Sequence, residues 1–301
     1  MRPWKFAKPK GPGFGISKRF YLSVLAARAQ LPTLLEVVNP DGSAGSVLGF
    51  GAPLSQGATR EDLGRPLARG AYVLSTKDRT TVLRMLVISK EEAGFDPAGL
   101  LRSPQASSLG QELLSRIAAT WTLMQLTFES HHAMVYPALD FLQIVCKRLA
   151  ELCDGAIADP LSELYLLPEQ LVRNPRVDPR IDAREHVAVH FQAKPDGLWG
   201  CTLGMQKFAL HEYEIQGVEP GMAAQTEAFM LSLCQTMLVG HTIEVGDKVG
   251  AARMAFDVGP GGLDRAVWEG IDCCELLPPS KVSASEAIAA WAAETYGRPS
   301  N

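Results

Sequence analysis

The chain has 301 residues, 47% of them hydrophobic and 21% charged, with 27 Gly and 20 Pro. That apolar share excludes disorder over the whole length, and the length suits one large domain or two of about 150 residues each. The formal net charge of −4 hides an asymmetry: residues 1–120 carry 16 Lys+Arg and 9 Asp+Glu, for +7, whereas residues 121–301 carry 13 and 24, for −11.

Residues 1–19 read as a flexible basic arm, because Pro3, Pro9, Gly11, Pro12, Gly13 and Gly15 break any regular element. The basic lead and the apolar stretch Phe20–Ala27 have the outline of a signal peptide. The stretch is short and broken by Ser23, so the reading is the first structured segment instead. Strands are predicted at 33–38, 46–50, 71–75 and 80–89, with Asn39-Pro40-Asp41-Gly42 as the turn between the first two. A loop is expected over 91–104. A helix follows at 107–118, with Leu109, Leu113, Leu114 and Ile117 on one face.

Thr120–Phe128 reads as a strand. A helix over 137–153 has a wide apolar stripe that includes Leu139, Leu142, Val145, Cys146 and Leu149, and so packs on a sheet. Asp154-Gly155 supplies its stop. Short strands are predicted at 156–158 and 163–167. Residues 173–185, with Asn174-Pro175, Asp178-Pro179 and several arginines, form a Pro/Arg linker. A hairpin follows: His186–Phe191, the turn Pro195-Asp196-Gly197, then Leu198–Leu203. Further strands are predicted at 207–215, 241–245 and 254–258, with a helix at 222–239 and a loop at 259–262. Ser283 with Glu286 three residues on is a capping box that opens a last helix.

The expected fold is therefore α+β, with mixed or antiparallel sheets flanked by three to four helices. It has an N-terminal subdomain over 20–172 and a C-terminal one over 186–301. A weak internal echo leaves open that the halves are related. Thr122-Leu123 is matched by Thr202-Leu203, and Gly155-Ala156-Ile157 by Gly240-His241-Thr242-Ile243.

Signatures of cofactor chemistry are missing. Gly13-Phe14-Gly15 and Gly49-Phe50-Gly51 begin like a dinucleotide fingerprint, but Lys18 and Leu54 occupy the third glycine's place. No phosphate loop and no Gly-x-Ser-x-Gly elbow occurs. The expectation is no cofactor. The cysteines at 146, 153, 201, 234, 273 and 274 form no C-x-x-C, and the adjacent pair 273–274 is a strained place for a bridge. All six read as reduced, hence a cytoplasmic protein.

No metal site is expected either. His186 and His190 are four apart, but on a strand they would stand about 13 Å from each other. His131-His132 lies where a helix is about to begin. No apolar run is long enough to span a membrane, and an acidic chain without a dense basic face disfavours nucleic acid.

Candidates for catalysis are few. Glu212 and Glu214 flank Tyr213 and on a strand would point the same way, about 7 Å apart. That separation suits a general acid/base pair. His190 and His211 are the histidines that could serve it, although His211 would point to the opposite face. Cys201, on a strand near His190, is the best thiol candidate.

The run Cys201-Thr202-Leu203-Gly204-Met205-Gln206-Lys207-Phe208-Ala209-Leu210-His211-Glu212-Tyr213-Glu214-Ile215 resembles a segment of a bacterial family of unknown function. That pattern is Thr-Leu-Gly-Met, then Phe-Gly-Leu-Pro, then an acidic pair. Ala209 stands here in place of the Gly and His211 in place of the Pro. The resemblance implies an α+β fold and brings no catalytic residues with it.

The leading expectation is a non-enzymatic binding or scaffold protein acting through a protein partner, with a bacterial accessory or immunity-type role and a homodimer both left open. The rivals are a hydrolase built on Glu212 and Glu214 with a nearby His, and a small-molecule sensor.

Overall fold

The computed structural model describes residues 14–38, 50–51, 60–171, 181–262 and 270–297. The expected turn at 39–42, most of the strand at 46–50 and most of the 173–185 linker lie outside the described residues. The chain divides into two compact units, Lys18–Pro179 and Met1–Ser17 together with Arg180–Asn301. The fold is α+β, and no helix among the described residues is long and apolar enough to cross a membrane.

The first unit holds a sheet in the order β2-β3-β4-β5-β1-β6-β7, every neighbouring pair antiparallel. Its strands are β1 (Tyr21–Ala26), β2 (Phe50–Gly51), β3 (Gly70–Thr76), β4 (Val82–Ser89), β5 (Thr122–Ser130), β6 (Ala156–Asp159) and β7 (Leu164–Leu166). The apolar stretch that imitates an export signal is β1, paired on both sides in the sheet interior. Leu22, Val24, Leu25 and Ala26 are buried, as a strand covered on both faces requires.

Helix α4 (Val135–Leu152) packs along β1 and β6 through the apolar stripe read from the sequence. On the cluster around Leu25, Leu123 and Ala156 sits α3 (Gln111–Ala118), inserting Leu113 and Ile117. Asp154 takes a left-handed φ of 49° after α4. Gly155 then runs so close to β1 that a Cβ would lie 2.5 Å from the Leu25 carbonyl oxygen.

Two expectations change here. Residues 33–38 are not a strand, since Leu34–Val38 is the short helix α1. Thr33 and Glu36 close a capping box: the Thr33 N–H and hydroxyl donate to Glu36 Oε2 at 2.7 and 2.8 Å, and Glu36 N–H donates to Thr33 Oγ1 at 3.1 Å. The β-branched look of the segment yields to that cap. The loop expected over 91–104 contains the one-and-a-half-turn helix α2 (Pro97–Arg102), with Pro97 in its first turn.

The second unit holds a mixed sheet in the order β11-β12-β13-β10-β9-β8. Its strands are β8 (Ala188–Lys194), β9 (Gly197–Leu203), β10 (Glu212–Val218), β11 (Lys248–Val249), β12 (Phe256–Pro260) and β13 (Cys273–Leu277). β10 and β13 run parallel and the other pairs are antiparallel. Helix α6 (Ala223–Leu238) lies over β8, β9 and β10, and α7 (Ala284–Tyr296) packs on α6 and β10. The Ser283–Glu286 capping box is formed at the start of α7.

His186 is not on a strand. It ends the short helix α5 (Ala183–His186), so β8 begins after it. The strand expected at 207–215 is divided. Met205–Phe208 is a 3-10 turn, Ala209 takes a left-handed φ of 55°, and β10 starts only at Glu212. No strand forms at 241–245, where the chain turns through Glu244 and Asp247. β13 is an element that no pattern in the sequence announces.

The end of the expected arm is docked: Ser17 N–H donates to the Lys207 carbonyl at 2.8 Å, and Phe14 stands edge-on to Phe208. The internal echo falls on non-equivalent elements. Thr122 opens β5 and Thr202 sits near the end of β9, while Ala156-Ile157 is strand and His241-Thr242 is not.

Candidate functional site

Facing residues of neighbouring strands share a face of the sheet, so register alone assembles the site. His190 of β8 faces Cys201 of β9, Cys201 faces Glu214 of β10, and Glu214 faces Glu275 of β13. Imidazole, thiol and two carboxylates therefore form one row across four strands. With strands about 4.8 Å apart, His190 and Glu214 are roughly 10 Å from each other at the backbone. Glu212, two residues before Glu214, lies on the same face opposite Cys273.

Both carboxylates are deeply enclosed. Glu212 is 0% exposed and Glu214 is 3% exposed. Glu212 Oε1 accepts the N–H groups of Gly204 and Gln206 at 2.8 and 3.1 Å, and its Oε2 accepts the Thr202 hydroxyl at 2.8 Å. Thr202 Oγ1 accepts the Tyr213 N–H at 2.8 Å in turn. The turn that brings these donors round depends on Gly204, which has a φ of 132° and leaves only 2.1 Å between an added Cβ and the His186 carbonyl oxygen. Burial raises the Glu212 pKa to about 7, against the pull of the three hydrogen bonds and of nearby Lys207.

Glu214 accepts the Trp199 indole N–H at 3.0 Å and the Gly262 N–H at 2.6 Å. Gly261-Gly262, directly after β12, thus serve to bring a backbone donor over this carboxylate. Its neighbours feel the charge. Burial and then Glu214 raise the Cys273 thiol pKa. Burial raises Glu275, opposed by a hydrogen bond from Gln216 and reinforced by Glu214.

The histidines separate. His190 belongs to the row. His211 points to the other face, edge-on to the Tyr213 ring at 5.0 Å, and its buried Nε2 makes no hydrogen bond. Burial lowers its pKa, while Asp272 and Glu244 oppose the shift. His186 packs edge-on against Phe208. His132 Nδ1 accepts the Met134 N–H at 3.0 Å, just ahead of α4, a capping role. Among the described residues no three His, Cys, Asp or Glu side chains are grouped to hold a metal ion.

The arrangement is poor in the geometry of known hydrolytic machinery. In a Cys–His–acid relay the acid stands behind the imidazole. Here the order is imidazole, thiol, carboxylate, so the acid stands beside the thiol. The Glu212 and Glu214 oxygens are engaged by donors from the protein itself.

Alternation along one strand revealed that Glu212 and Glu214 share a face. The partners at 199, 202, 204, 206 and 262 come from other elements, and no local pattern announces them. No protein-family model, curated protein or solved structure matches the chain. The likeness of the 201–215 segment therefore rests on those residues alone.

Proposed function

We propose that the chain is a non-enzymatic binding protein of a reducing compartment, the cytoplasm, that acts through a protein partner. The observation that carries this reading is the fastening of Glu212 and Glu214. Five hydrogen bonds hold them as buried structural acceptors, so this pair is not exposed for acid/base work. The six free thiols, five of them buried, fit a reducing environment.

A contact surface needs rigid apolar anchors that stand in water. Trp121 is 60% exposed, and the Lys90 ammonium lies 5.1 Å from its ring centroid. An exposed indole flanked by a cation is the kind of anchor that dominates protein interfaces. The accessory or immunity-type role is the finer form of this proposal.

The test is native mass spectrometry on the full chain purified gently from its host. A second polypeptide in fixed stoichiometry, lost in Trp121→Ala, is the expected result. Hydrolytic turnover that disappears in Glu214→Gln would overturn the reading in favour of an enzyme. A mass at twice the chain alone would replace the partner by a second copy.

A further inference from the structure

Four strands lie at the ends of the two sheets: β2 and β7 in the first, β11 and β8 in the second. An end strand shows one row of backbone N–H and carbonyl groups that its own sheet does not use, and another chain can pair with it. Among the described residues β2, β7 and β11 are blunt, with two, three and two residues. β8 runs for seven, Ala-Val-His-Phe-Gln-Ala-Lys, in unbroken register with β9 and without a proline. Its one Lys, Arg, Asp or Glu is Lys194, at the very end.

The hairpin turn decides which groups of β8 point outward. Lys194 pairs with Gly197 across the two residues Pro195-Asp196, and the pair that closes so short a hairpin exchanges both its hydrogen bonds. Alternation then turns the backbone groups of Ala188, His190, Gln192 and Lys194 toward β9, and those of Val189, Phe191 and Ala193 away from it. Among the described residues nothing bonds to that outer row.

We infer that β8 pairs with β8 of a second copy of this chain, antiparallel about a two-fold axis at Phe191, so that two sheets become one. The strand itself selects this occupant and this register. A two-fold axis normal to a sheet sets residues of like face opposite each other, so it passes through a residue. At Phe191 it uses the whole strand: Val189 faces Ala193 of the second copy and Phe191 faces its own counterpart. Every N–H and carbonyl of the outer row then meets its complement. An axis at His190 would set Ala193 against Val187, whose N–H already donates to the Ala183 carbonyl at 2.7 Å. An axis at Gln192 would set Val189 against Pro195, which has no N–H. Charge agrees with the choice, since Lys194 faces Ala188 of the second copy and no like charges meet across the seam. Phe191 rests on Gly200, where an added Cβ would lie 2.9 Å from the ring, so its own sheet holds it in place for a cross-strand aromatic pair. The seam belongs to the second unit and the anchor Trp121 to the first, so neither this inference nor the partner reading needs the other.

Sedimentation equilibrium on the purified full chain, with no other protein present, tests this. A dimer is expected, with hydrogen exchange at the Val189, Phe191 and Ala193 amides slowing as the chain concentration rises. Ala193→Pro removes an outward donor and leaves the bonds to β9 in place, as prolines on edge strands do. Symmetry removes two bonds at once, so the dimer should dissociate at least about tenfold more readily. Ala193→Lys keeps the backbone and sets a charge against Val189 of the second copy. It should weaken the dimer likewise while the thermal unfolding midpoint of the monomer is kept. A monomer at about 100 micromolar chain overturns the inference. So does a dimer that both variants leave at parent strength, which would put the seam elsewhere.

Discussion

At Glu212 burial and hydrogen bonding pull in opposite directions, and burial prevails, with the pKa raised from 4.5 to about 7. An acid whose folded pKa is raised keeps its proton longer in the folded state than in the unfolded one. Stability from this group is thus fully present below pH 4.5 and falls as pH rises to about 7, by about 3 kcal/mol in all. Urea unfolding between pH 4.5 and 7.5 should show that decline in the parent chain and a flatter profile in Glu212→Gln. Glutamine keeps a carbonyl oxygen for the Gly204 and Gln206 N–H groups. Glu212→Ala leaves both N–H groups unpaired in the interior and should cost about 2–4 kcal/mol at pH 7. Ala209, at φ 55°, offers the reverse case. Ala209→Gly should raise stability by about 0.5–1 kcal/mol, since the left-handed region costs an alanine about 1–2 kcal/mol and the greater freedom of glycine in the unfolded chain takes back about 0.4–1 kcal/mol. Denaturant midpoints check both.

Two elements of this protein start with the same device, and the sequence shows only one of them openly. Ser283 and Glu286 announce α7 because the residues after them, Ala-Ser-Glu-Ala-Ile-Ala-Ala, have no strand character. Thr33 and Glu36 cap α1 just as well, yet Leu-Leu-Glu-Val-Val looks like a strand and hides it. Long periodic segments were legible: α4 and α6 lie within two residues of their expected bounds. β13 was not, because its place is set by pairing with β10 and β12 rather than by its own alternation. The site divides in the same way. The common face of Glu212 and Glu214 is a property of one strand, whereas the row from His190 to Glu275 is a property of four registers. Ser283→Ala should cost about 1 kcal/mol, read by chemical denaturation, since it leaves an N-terminal N–H of α7 without its acceptor.

Over the whole molecule each sheet has a core of its own. Leu25, Ile117 and Leu123 belong to one cluster in the first unit. Phe229 and Phe256, with rings 5.2 Å apart, belong to the second. Damage in one core should stay there. Hydrogen exchange on Glu212→Ala should speed up in β8, β9, β10 and α6 and leave β1 and β5 at parent rates. The +7 and −11 charge division, legible in the sequence alone, splits at residue 120 and not at the boundary between the units. A tally cut at residue 120 falls inside the first unit, so it gives no guide to where one core ends.

The docking of Ser17 on Lys207 has a consequence for biosynthesis. The two residues are 190 positions apart (207 less 17) and belong to the same unit. At about 5–20 residues per second, the ribosome delivers the second roughly 10–40 s after the first. The sheet of residues 21–166 has time to form in that interval. The short stretch around Phe14 and Ser17 has to wait, its binding surface not yet synthesised. The unit that begins again at Arg180 thus also recruits Phe14 and Ser17, and it closes on them only once Lys207 and Phe208 have been made.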